Sequence, residues 1–85
     1  MSLEELKAVY VEWVELRKYI ISNRCTLTDE ELSAAASNMA EVACKINAKG
    51  MGLRKELGDL TGYRVGNRFQ VYKALERVTG IRNDL

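Results

Sequence analysis

The chain has 85 residues, of which 47% are hydrophobic and 29% charged, and a net charge of +1. That length makes one domain, the mix is globular rather than disordered, and a charge so near zero gives no global signature for nucleic acid or membrane. Histidine and proline are absent, which removes the commonest zinc ligand and general base.

With no proline and no strand-like alternation, the pattern is helical throughout. The first helix is expected over about 3–23. Ser2 stands three residues before Glu5, in capping-box spacing. Leu6, Val9, Trp13, Leu16 and Ile20 then form a heptad-like seam, widened by Tyr10, Val14 and Ile21. Glu4, Glu12, Glu15 and Lys18 take the other side, and Arg17 falls inside the apolar face, where an unpaired charge is costly. Val11 and Tyr19 lie outside the main stripe, so this helix carries more apolar surface than so small a domain covers.

The second helix is expected over about 29–48. Thr28 is its N-cap with Glu31 at the third position, and Leu27 and Leu32 are placed as a hydrophobic staple. Asp29, Glu30 and Glu31 complement the helix dipole. Leu32, Ala35, Met39, Val42 and Ile46 continue a stripe, and the remainder, rich in alanine and serine, is thin enough for close approach. Gly50 and Gly52 read as its terminators.

Residues of about 53–60 form a short helix, and a fourth is expected over about 64–78 with Val65, Phe69, Tyr72, Leu75 and Val78 as its stripe. Gly80 ends it, with Ile81 folding back on Leu75 in a Schellman-type end. Gly58, Gly62 and Gly66 would share one face of a continuous helix. Three internal glycines would cost about 3 kcal/mol relative to alanine, so a break is favoured, best placed at Gly62. The fold is therefore an all-α bundle of three main helices plus a short one, a single domain over 1–85 with 80–85 as a frayed tail.

Cys25 and Cys44 lack metal-ligand spacing and read as reduced thiols of a cytoplasmic protein. Glu4 and Glu5 stand where a secretory signal carries positive charge. The longest purely apolar runs, such as Ala8 to Val11, are four residues, far short of a membrane span. No cofactor or metal set is present, "GMGLRKELG" does not match a phosphate-cradling loop, and no catalytic constellation stands out.

The leading expectation is a non-enzymatic interaction or regulatory module, a homodimer that packs through Val9, Tyr10, Trp13, Leu16, Arg17 and Ile20, with another protein as a further possible partner. The alternative is a duplex-DNA regulator with a degenerate helix-turn-helix at 54–78. Residues 51–85 carry +3 and residues 1–50 carry −2. Asn67 and Gln70 suit adenine edges, Arg64 and Arg68 suit guanine or phosphate, and Lys73 and Arg77 suit phosphates. On a continuous helix, however, Arg64 and Arg68 fall in the apolar arc, away from the other four. A third expectation, an anion-binding enzyme, requires Arg17 in one pocket with Arg64 or Arg68.

Overall fold

The computed structural model describes residues 2–82. Among them every regular element is an α-helix: α1 (Leu3–Ser22), α2 (Asp29–Gly52), α3 (Arg54–Thr61) and α4 (Arg68–Thr79). None is long and apolar enough to cross a membrane. The all-helical bundle is as the sequence predicts, and so are several of its caps. The Ser2 hydroxyl accepts from the Glu5 amide at 3.3 Å. Thr28 and Glu31 form a full capping box, with both bonds at 3.1 Å. Gly62 closes α3 in the left-handed region at φ 75°, a conformation open to glycine and costly for most other residues.

Two boundaries differ from expectation. α2 does not stop before Gly50 but continues through Gly52. Gly50 is buried there, and a Cβ on it would overlap Val71 Cγ1 of α4. The glycine permits a close approach between helices rather than ending one. α4 starts at Arg68 rather than near Arg64. Asn67 is its N-cap and accepts from the Gln70 amide at 3.0 Å, while Gln70 Oε1 accepts from the Asn67 amide at 3.2 Å. This second capping box fixes the start and leaves residues 62–67 as a non-helical linker.

The C-terminal end also differs. Gly80, at φ 71°, donates to the Glu76 carbonyl at 2.9 Å. Ile81 donates to Thr79 Oγ1 at 3.2 Å, so the helix ends in the simpler αL motif rather than a Schellman pair. Residues 80 and 81 are not frayed: Ile81 packs on the core and its carbonyl accepts from the Tyr10 hydroxyl at 2.8 Å. Of the rest of the expected tail, Arg82 is exposed, and residues 83–85 lie outside the described residues.

α1 and α2 form an antiparallel hairpin, because Leu6, Tyr10 and Val14 from the first two-thirds of α1 share one cluster with Val42 and Ile46 from the last half of α2. Leu57 of α3 and Val71, Ala74 and Leu75 of α4 complete that cluster. The core thus sits at one end of a molecule measuring 43 × 20 × 20 Å. The other end is the hairpin alone.

Candidate functional site

Two surfaces carry the residues singled out by the sequence. The first is the distal hairpin. From Glu15 to Glu41 no residue is buried, although the seam continues through Leu16, Ile20, Leu27, Leu32, Ala35 and Met39, all half-buried. In this half of the hairpin neither α3 nor α4 contributes a buried residue. Tyr19 and Ile21 are about half exposed, at 49% and 50%.

The six residues expected at an association surface divide. Ile20 lies on this open stretch. Leu16 sits at its junction with the core, and Val9 and Trp13 are partly buried against the core itself. The Trp13 ring lies 4.9 Å from that of Tyr72 and 6.2 Å from that of Tyr10. The Arg17 guanidinium lies over the Trp13 ring at 5.7 Å, a cation–π geometry. Tyr10 is fully buried and is corrected from a surface residue to a core residue. Its side chain lies in the i, i+4 row of Leu6 and Val14, and its hydroxyl is satisfied inside the fold by Ile81.

The second surface is a pair of adjoining hollows of about 720 and 670 Å³ where α3, the linker and α4 meet. Both are lined by Tyr63, Arg64 and Val65. Lys73 and Arg77 line the larger, and Arg54 and Lys55 the smaller. Against these five cations stand two carboxylates, Asp59 and Glu76. Among the described residues none of the five has a carboxylate within ion-pair distance. Instead the Arg77 guanidinium covers one face of the Tyr63 ring at 4.4 Å.

The late start of α4 therefore redistributes the expected nucleic-acid residues. Arg64 leaves the helix and joins Lys73 and Arg77 in one groove. Arg68, the first residue of α4, lies over the Phe69 ring at 5.7 Å and lines neither hollow. Asn67 and Gln70 hold one another's backbone amides in the capping box, and Gln70 also accepts from the Gly66 amide at 2.6 Å. Arg17 lines neither hollow either, so it shares neither with Arg64.

No family model matches the chain, and neither curated proteins nor solved structures provide a match. Its chemistry therefore rests on its own side chains. Burial raises the Tyr72 phenol above its ordinary value, an effect that Arg68 partly offsets and Cys44 reinforces. No described group of three or more cysteine, aspartate or glutamate side chains is placed to hold a metal.

Sequence reasoning did not single out Tyr63, Arg54 or Lys55 as site residues. The signal for them was Gly62. A left-handed glycine reverses the chain, so residues shortly before and after it are brought to one surface.

Proposed function

We propose that the chain is a non-enzymatic interaction module acting through helix-face packing, and that its partner is a second copy of itself. One observation carries this reading: the distal hairpin keeps its apolar seam from Leu16 to Met39 yet buries no residue of it fully. Two such hairpins packed on one another make a four-helix bundle, in which each seam gains the cover it lacks. The exposed Ala36 and Ala40 leave room for close approach.

Charge supports the same partner. Lys18 and Arg24 lie at the end of α1 and in the following loop, while Asp29 and Glu30 begin α2. None of the four has an ion-pair partner among the described residues. A two-fold axis lets the basic end of one copy face the acidic start of the other, the self-complementarity that an isologous interface requires. Exposed, unbridged Cys25 and Cys44 suit a reducing, cytoplasmic setting. The duplex-DNA alternative takes its adenine-edge contacts from Asn67 and Gln70, whose side-chain oxygens are already engaged with backbone; packing is the stronger reading.

Sedimentation equilibrium across the micromolar range tests it. The wild-type chain is expected to be dimeric. Ile20→Glu and Met39→Glu are expected to be monomeric with unchanged helix content, because neither side chain belongs to the buried core. A wild-type chain that stays monomeric throughout overturns the proposal.

A further inference from the structure

We infer that the groove between α3, the linker and α4 binds single-stranded nucleic acid, holding the backbone with Arg64, Lys73 and Arg77 and stacking a base on Tyr63. This goes beyond the packing reading and does not depend on it, since the groove lies at the core end and the seam at the other.

Three observations combine. The first is shape. The two hollows adjoin at Tyr63, Arg64 and Val65, so cations line a stretch of surface on both sides of the linker. A run of cations along adjoining open hollows suits a polymer backbone better than a compact anion. The second is charge. The groove has an excess of three positive charges, from five cations and two carboxylates, in a chain whose total is only +1. Among the described residues none of these cations is spent on an ion pair, so their charge is left to attract phosphate, although Arg54 Nε donates to the Met51 carbonyl at 3.0 Å.

The third observation is Tyr63. It is 55% exposed, and Arg77 occupies one face of its ring. A guanidinium on one face helps hold this exposed ring in place, and the ring supplies the π-surface on which a nucleobase would stack. Stacking of this kind tolerates any base, because every base has a π-face. Channels that combine tracked phosphates with aromatic platforms are the common form of single-strand binding.

Single strands are favoured over duplex for a geometric reason. A major-groove reader presents a protruding helix with free polar side chains at its start. Here Lys73 and Arg77 of α4 form the wall of a hollow, and Asn67 and Gln70 at the helix start are bonded to backbone. Bases must then come to the protein unpaired.

Fluorescence anisotropy with labelled oligothymidylate and oligouridylate of about 12 nucleotides, within the site sizes typical of single strands, tests the inference. Binding of at least one of the two is expected at low salt. A preference between them identifies DNA or RNA as the source. Three phosphate contacts predict a log–log salt slope of about −2. Lys73→Ala is expected to make that slope shallower by about 0.7. Tyr63→Ala is expected to weaken binding about tenfold, and Tyr63→Phe to restore it. Arg68→Ala, outside the groove, is expected to leave binding unchanged. Tyr63 is exposed and absent from the core, so circular dichroism of Tyr63→Ala is expected to match wild type. Absence of binding at low salt overturns the inference. So does equal or tighter binding of a duplex of the same length, or an unaltered affinity in Tyr63→Ala.

Discussion

Gly50 of α2 packs directly against Val71 of α4, with no room for a side chain between them. A Cβ on Gly50 would overlap Val71 Cγ1 and stand 3.5 Å from both Cβ and Cγ2. Valine in a helix has one strongly preferred rotamer, so it does not swing aside. Gly50→Ala gains helix propensity of up to about 1 kcal/mol but forces overpacking that costs about 1–3 kcal/mol. Urea unfolding is expected to show net destabilisation. Val71→Ala makes room for the new methyl group, so its cost is expected to be smaller in the Gly50→Ala background than in wild type. Strict additivity of the two substitutions would show that they do not meet.

Tyr10 joins the two ends of the described chain. Its hydroxyl donates to the Ile81 carbonyl at 2.8 Å, and its ring is completely enclosed. Tyr10→Phe keeps the ring and deletes the donor. A typical hydrogen bond of this kind contributes about 1 kcal/mol net, so a loss of that order is expected in thermal or urea unfolding. Amide exchange at Gly80 and Ile81 is expected to accelerate more than exchange in the α1–α2 hairpin. Uniform acceleration throughout the chain would assign the effect to global stability instead of local release.

Much of this fold is legible in the sequence because local chemistry decides it. Thr28 with Glu31, and the αL glycine at Gly62, are signals that neighbours within a few residues satisfy by themselves. The misreadings concern long-range packing. Gly50 carries the same local signal as a terminator, yet the neighbouring α4 makes it a contact point. Tyr10 reads as one member of a broad apolar face, and it is the packing of α2, α3 and α4 around Leu6, Tyr10 and Val14 that encloses it. The groove was hidden by a single boundary. With α4 begun at Arg64, the wheel separates Arg64 from Lys73 and Arg77. With Asn67 as the cap, residues 62–67 are free to bring Arg64 beside them.

Asn67 is therefore expected to respond as a cap. Its Oδ1 accepts from the Gln70 amide at 3.0 Å, and replacing such a residue by alanine costs about 1 kcal/mol. Asn67→Ala is expected to lower stability by that order. Asn67→Asp and Asn67→Ser, which retain a capping oxygen, are expected to stay near wild type. An unfolding series in which all three substitutions cost the same would mean that the capping oxygen contributes nothing.

Tyr72 gives the fold an alkaline dependence whose sign follows from its surroundings. Burial raises its phenol above the ordinary value, against the opposing influence of Arg68. In the unfolded chain the phenol ionises near pH 10, while the folded chain still holds the proton. Between those two values the unfolded state binds fewer protons than the folded one, so stability falls as pH rises. Below the unfolded value the contribution is constant. Lysines and the other tyrosines titrate in the same range, so the informative quantity is the difference between wild type and Tyr72→Phe. That difference is expected to be flat from neutral pH to about pH 10, then to move steadily against the wild type. A difference that stays flat through the alkaline range, or moves in favour of the wild type, would mean that the phenol is not held protonated by burial beside Trp13.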